Sequence, residues 1–211
     1  MKSSGPATTR PKRKSATIFR VASYFFLAFG LLAVGYSVYV VVDARAYQTY
    51  EQAKLESKFE NGKREPPALL VEGGVIGEIQ VPRLRLKAIV VQGDSHTILR
   101  RAVGHIPETA LPGEQGNDAL AGHRDTFFRP LRNIQLGDTI TLKTPDHDFQ
   151  YVVESTAIVA ASEVGVLAGS SDRTLTLITC FPFDYLGAAP NRFIVRAHEL
   201  VSPFPEALLT R

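Results

Sequence analysis

One cysteine occurs among the 211 residues, and it ends the run T-L-T-L-I-T-C, Thr174 to Cys180. A thiolate is a strong nucleophile toward carbonyl carbon, so this position could carry covalent acyl chemistry. Side chains alternate between faces along a β-strand. Leu175, Leu177 and Thr179 then share one face, and Thr174, Thr176, Ile178 and Cys180 the other. The face with two leucines is the core face. The thiol is therefore expected to point outward, which argues against a cysteine serving only as a small buried hydrophobe.

A second run, R-F-I-V-R-A, starts at Arg192. The same alternation turns Phe193, Val195 and Ala197 inward and Arg192, Ile194 and Arg196 outward. The two runs are joined by the eleven residues FPFDYLGAAPN. If they pair as neighbours, Cys180 and Arg192 lie on one outward face at the mouth of that connection. A guanidinium beside a thiol favours the reactive thiolate.

Such chemistry needs a proton carrier, and five histidines are available. His96 and His105 flank a predicted helix, His147 lies in the turn-like TPDHDF, and His198 falls near the end of the fold. His123 follows the small apolar run Ala119–Gly122 and precedes the polar Arg124–Asp125, so it enters a loop from the end of a strand. Catalytic groups are often placed on such loops. Spacing alone does not bring His123 to Cys180.

The elements that must position these groups follow an N-terminal anchor. The first 20 residues hold six lysines and arginines and no acid, while the rest of the chain has 18 basic and 21 acidic side chains. The overall charge of +3 therefore belongs to a tail. This segregation argues against a nucleic-acid partner. From Val21 to Val42 run 22 residues without a charge, with Tyr24, Tyr36 and Tyr39 toward the ends. About 20 apolar residues span a bilayer as a helix, more than the apolar core of a signal peptide. An excess of cations before the span predicts a cytoplasmic N-terminus and an extracytoplasmic remainder. In such compartments cysteines are usually paired, so a single one suggests a free reactive thiol.

Residues 43–65 are charged, contain no proline and read as a helical stalk that ends at Pro66 and Pro67. Beyond Leu69, short β-type runs alternate with Gly, Pro, Asn and Asp. Strands are predicted at Val75–Val81, Leu86–Val91, Ala119–Gly122, Thr139–Leu142, Phe149–Ala160, Thr174–Cys180 and Arg192–His198. A helix capped by Asp94 or Ser95 is predicted over His96–Val103, and a helical turn over Ser162–Leu167. This pattern indicates an antiparallel barrel or sandwich. The resulting organisation is a basic tail (1–20), a transmembrane helix (21–42), a stalk (43–68), a catalytic domain (69–200) and a C-terminal tail (201–211). Asp146 and Asp148 flank His147 in a turn and read as a solvated loop; no metal-ligand cluster stands out, and no cofactor is called for.

Three segments together resemble the sortases, the cysteine transpeptidases of bacterial surfaces. They are T-L-I-T-C ending at Cys180; GHIPETALPGEQGNDALAGHRDTFFRPL from Gly104 to Leu131; and CFPFDYLGAAPNRFIVRA from Cys180 to Ala197. The last two are similar to class D members in particular, with Glu108 standing where that class often has glycine. The resemblance covers roughly residues 70–200. It implies a mainly β fold: a closed eight-stranded barrel with one or two short helices after a single N-terminal transmembrane helix.

It also implies roles. Cys180 would be the nucleophile, His123 the general acid and base, and Arg192 the group that steadies the oxyanion or the substrate, with Arg196 as the alternative. Thr179 would help seat the substrate, although strand alternation turns it inward. The implied partners are a sorting signal of the LPxTG type on a surface protein or pilin, and an amine acceptor from a cell-wall precursor or a pilin lysine. A cysteine hydrolase would use the same residues and release the acyl group to water. An L,D-transpeptidase would carry an S-H-G-C-x-R type signature, which this sequence lacks. A membrane-tethered barrel that only binds a partner would tolerate loss of Cys180.

Overall fold

The computed structural model describes residues 14–61 and 71–200. One helix, α1, runs Lys14–Asn61. It belongs to two compact units, the first ending at Asp43 and the second starting at Ala44. In the first unit Phe25, Phe26, Phe29 and Leu32 all stand exposed. A helix that is apolar all round and has no protein partner suits lipid as its surroundings. This is a candidate membrane anchor.

The second unit is a β-barrel. Its strands are β1 (Val75–Val81), β2 (Leu86–Gln92), β3 (Val103–His105), β4 (Gly116–Ala121), β5 (Thr139–Lys143), β6 (Asp148–Ala160), β7 (Arg173–Phe181) and β8 (Asn191–Glu199). They close in the order β1-β2-β3-β4-β7-β8-β6-β5. Two neighbouring pairs, β2 with β3 and β4 with β7, are parallel. The barrel is thus mixed, where composition alone suggested an antiparallel one. Parallel neighbours need a crossover. For β4 and β7 the crossover is the whole β5–β6 hairpin, which no local pattern announces.

The inward positions of β7 and β8 are the ones alternation assigns. Leu175, Leu177, Val195 and Ala197 are fully buried in one cluster with Ile79, Leu120, Ile140, Leu142 and Tyr151. Strand β2 departs from alternation, because Ala88, Ile89, Val90 and Val91 are all buried. Its outer face is covered by the second part of α1. Leu55 packs there against Ile89, Val91 and Ala102, with Tyr47 beside them. Gln48 completes the join: its Oε1 accepts from the Ile89 N–H at 2.8 Å and its Nε2 donates to the Arg101 carbonyl at 2.7 Å. These are backbone groups next to the point where β2 and β3 begin to pair. From Ala44 on, α1 therefore takes part in the barrel's packing through Tyr47, Gln48 and Leu55, while Pro66 and Pro67, predicted to end the stalk, lie outside the described residues.

The predicted helix over His96–Val103 is shorter. Helix α2 covers His96–Leu99, with extended Ser95 at its cap position and no side-chain cap bond. Val103 instead opens β3, whose pairing to β2 outweighs the local helical pattern. The predicted turn near Ser162–Leu167 is a 3₁₀ turn over Gly165–Leu167.

Candidate active site

The register of three adjacent strands builds the site. In the parallel pair β4/β7, Ala119 lies beside Thr176 and Ala121 beside Ile178. The pairing continues past the end of β4: Gly122 N–H donates to the Ile178 carbonyl at 3.1 Å, and the Thr179 hydroxyl donates to the Gly122 carbonyl at 2.7 Å. The next residues in this register are His123 and Cys180. In the antiparallel pair β7/β8, Cys180 lies directly opposite Arg192. His123, two residues past the end of β4, thus enters its loop beside Cys180 of β7, which in turn lies opposite Arg192 of β8. By the alternation of β7 and β8, Cys180 and Arg192 lie on the face turned away from Leu175, Leu177, Val195 and Ala197 of the core.

Gly122 is required for this placement. A Cβ there would come within 2.7 Å of the Phe128 ring, which is fully buried. The turn after Gly122 is closed by bonds from the Thr126 and Phe128 N–H groups to the His123 carbonyl at 3.4 and 3.1 Å. Packing of Phe128 onto a bare backbone therefore fixes where the chain leaves the strand and where His123 begins. Among the described residues the His123 ring accepts or donates no hydrogen bond. Its edge meets His96 of α2, with ring centroids 6.0 Å apart. Burial holds its pKa below the usual imidazole value; the Asp125 carboxylate works against that shift, and His96 adds to it.

Cys180 is half-buried and free of disulfide bonding. Nη1 of Arg192 donates to the Asn191 carbonyl at 3.0 Å and, less closely, to the Ala189 carbonyl at 3.3 Å. Arg196 lies opposite Thr176 instead. That is four residues up β8 from Arg192, about 13 Å along an extended strand. Thr179 is 2 % exposed and faces the interior as alternation requires. It meets the site through Gly122, the residue before His123.

The outward face beyond Cys180 and Arg192 is walled by the connection from β6 to β7. Asn117 on β4 donates through Nδ2 to the Val166 carbonyl at 3.0 Å and accepts from the Thr176 hydroxyl at 2.7 Å. This cover explains why outward-facing Thr176 and Ile194 are buried. Beneath it lies an open groove of about 300 Å³ lined by Ser155, Glu163, Val166, Ile194 and Arg196. Among the described residues no group of three or more His, Cys, Asp or Glu side chains could hold a metal ion. His147 and its flanking acids lie in the turn closed by the Thr144 N–H to His147 carbonyl bond, away from Cys180 and Arg192. Residue-by-residue reading of the sequence missed Asn117 and gave His96 no part in the site. An asparagine on a small-residue strand carries no local signal of a loop anchor, and His96 gains meaning only once α2 is folded against β3 and the two imidazole rings meet.

A closed mixed barrel that sets Cys180 opposite Arg192, with His123 in the adjoining loop, brings together the groups that acyl transfer through a thiol would need. The sortase domain matches residues 79–200. Over 190 residues the chain is 29 % identical to sortase D of Bacillus subtilis (strain 168), covering 83 % of this chain and 96 % of that relative. It is 30 % identical to sortase SrtE1 of Streptomyces coelicolor over 83 % of this chain and 56 % of that protein. Among solved structures, a Clostridium perfringens sortase D5 transpeptidase superposes with a TM-score of 0.62 at 25 % identity, over 75 % of this chain and 99 % of that one. The chain belongs to the sortase family. It is a cysteine transpeptidase, most similar to class D members.

Proposed function

We propose that Cys180 is the nucleophile, His123 the general acid and base, and Arg192 the group that steadies the developing oxyanion. The strand register, which sets Cys180 opposite Arg192 with His123 in the adjoining loop, carries this reading. The Cys180 thiolate attacks the carbonyl carbon of Thr in a sorting signal of the LPxTG type. The new C–S bond forms and the C–N bond breaks, and the leaving amine takes its proton from His123. An incoming amine then attacks the thioester, the C–S bond breaks, and His123 takes the proton that this amine loses. The cycle neither gains nor loses electrons and needs no external energy source, because the thioester retains the acyl group in activated form. Arg192 faces the tetrahedral oxygen, a position at which loss of one donor costs about 100- to 1,000-fold in rate. Thr179 serves the substrate site from behind, by fastening Gly122 and so fixing His123.

The substrate is a surface protein or pilin, and the acceptor is an amine of a cell-wall precursor or a pilin lysine. Residues 1–20 form a cytoplasmic tail, 21–42 the membrane span and 43–68 the stalk; the catalytic domain, 69–200, and the tail, 201–211, face outward. The concentration of cations before the span supports this orientation. The test is a product assay with the full chain in detergent, LPxTG-type peptides and a small amine. Wild type should yield the amine-linked peptide. Cys180→Ala should yield none, and Arg192→Ala should fall about 100-fold or more. Undiminished product from Cys180→Ala would refute the assignment.

A further inference from the structure

We propose that Arg124 is a positioning residue that clasps the β7–β8 connection to the His123 loop, so that the acid–base, the nucleophile and the oxyanion group are held as one unit. This inference rests on the roles given above for His123, Cys180 and Arg192.

The connection Pro182–Pro190 leaves the nucleophile's strand and returns at Asn191, the residue before Arg192. Burial does little to fix its tip, where Leu186 is 95 % exposed, Tyr185 is exposed, and Gly187 takes a left-handed φ of 95°. Arg124 reaches across to it from the residue adjacent to His123. Its Nη2 donates to the Tyr185 carbonyl at 2.6 Å and to the Gly187 carbonyl at 2.9 Å. The guanidinium carbon also lies 5.9 Å from the centre of the Tyr185 ring, within cation–π range. A few residues on, the same connection supplies the Ala189 carbonyl to Arg192. A continuous path therefore runs from His123 through Arg124, Tyr185 and Gly187 to Ala189 and Arg192.

The base of the connection is held by Phe183, which packs on Phe193 with ring centroids 5.4 Å apart, and by the Ala161 N–H donating to the Pro190 carbonyl at 3.2 Å. Asp184 pairs with Arg132 at 2.7 Å and Arg129 at 3.8 Å, but these side chains are open to solvent, and exposed ion pairs hold little. The Arg124 bonds run instead to two backbone carbonyls at the tip, so they hold the chain itself rather than the end of a side chain. The other terminal nitrogen, Nη1, is buried without a partner. A buried donor left unpaired works against stability. Arg124 is therefore a poor choice for a strap that only stabilises the fold, and a fitting one for a group whose task is geometry.

The experiment compares wild type with Arg124→Met and Arg124→Lys in the full chain, with Cys180→Ala as the reference for the site itself. Four quantities are read: kcat and KM for peptide transfer, the thermal midpoint, hydrogen exchange by segment, and the alkylation rate of Cys180. In Arg124→Met, kcat should fall about 100-fold with KM within about threefold, as misplacement of catalytic groups by about 1 Å does. The thermal midpoint should move little. Exchange should rise in 182–190 and 122–126 and stay at wild-type levels elsewhere. Arg124→Lys should fall between the two, because a single ammonium lacks the planar fork and the ring stacking. Wild-type kcat and exchange in Arg124→Met, with Cys180→Ala inactive, would overturn the clasp and leave the site assignment standing. So would exchange that rises across the whole barrel, which marks a structural role. Activity retained in Cys180→Ala would overturn the site assignment, and the exchange of 182–190 would still decide whether Arg124 holds that connection.

Discussion

Two histidines end neighbouring strands and are put to opposite uses. His105 closes β3, opposite Leu120 of β4, and points into the barrel. His123 follows β4 into a loop. Burial lowers the pKa of both below the ordinary imidazole value. At His105 the Ala110 carbonyl and Glu114 oppose that shift. The two differ in their partners. His105 is 1 % exposed; its Nδ1 meets Gln92 Oε1 at 2.9 Å and its Nε2 the Ala110 carbonyl at 2.9 Å, with the Thr109 hydroxyl at 3.2 Å. Both of its nitrogens are committed. The His123 ring has none of these bonds and stands in the loop beside a half-buried thiol. A perturbed histidine pKa therefore does not by itself mark a catalytic group. An uncommitted ring next to a free thiol is the better mark of one, and a fully bonded ring within the barrel holds structure.

Exchanging the two roles by mutation should separate them most sharply. His123→Ala should lower kcat/KM by about 10²- to 10⁴-fold, the usual worth of a general acid–base, and leave the thermal midpoint nearly unchanged. A variant of His123 that unfolds instead would break the contrast. His105→Ala should do the reverse. It removes the partner of the Gln92 side chain and the Ala110 carbonyl, and should cost about 2–4 kcal/mol in urea unfolding, with kcat per folded molecule close to wild type.

The interior cluster makes a further prediction through Asp118. Both of its carboxylate oxygens are buried without a hydrogen bond, and Oδ1 lies 3.7 Å from His105 Nε2. Burial pushes its pKa well up, and Glu114 adds to the rise. The folded state therefore holds a proton that the unfolded chain releases near pH 4. The stability tied to that proton is complete below the unfolded value and is lost as pH rises through the folded one. Asp118→Asn has no such loss. Its stability relative to wild type should therefore improve steadily from pH 4 toward pH 8, and a flat difference would contradict this reading. His105 has the opposite sign: its lowered pKa gives stability that is present above about pH 6.5 and lost as pH falls through its folded value. Stability curves of Asp118→Asn should keep that acid-side decline.

The smallest effects belong to the neighbours of His123. His96→Gln removes a group that depresses the His123 pKa, so the acid limb of kcat/KM should move to higher pH. Asp125→Asn removes the carboxylate that opposes the depression, so the limb should move to lower pH. Shifts of the same sign in both variants would contradict the pairing of these side chains with His123.

Much of this was legible in the chain. The alternation in T-L-T-L-I-T-C and R-F-I-V-R-A correctly separates inward Leu175, Leu177, Val195 and Ala197 from outward Cys180 and Arg192, and strand β1 runs Val75–Val81 as read. The step from His123 to Cys180 was not legible from residues alone. It depends on the parallel pairing of β4 with β7, more than fifty residues apart, and such pairings leave no local trace. Strand β3 has only three residues, too few to show a period, and the helical pattern of His96–Val103 hid it. The outer face of β2 looks like any apolar strand until Leu55 and Gln48 of α1 cover it. Arg124 reads as one polar residue after a histidine, and its role depends on where a distant connection passes.

The most direct test of the account is the mass of the enzyme itself. The full chain is mixed with an LPxTG-type peptide in the absence of added amine, quenched in acid and weighed intact, then digested. Wild type should gain the mass of the acyl portion ending in Thr, on the peptide that contains Cys180, and added amine should discharge it. Peptide cleavage with no adduct on wild type, or an adduct that persists in Cys180→Ala, would contradict the account.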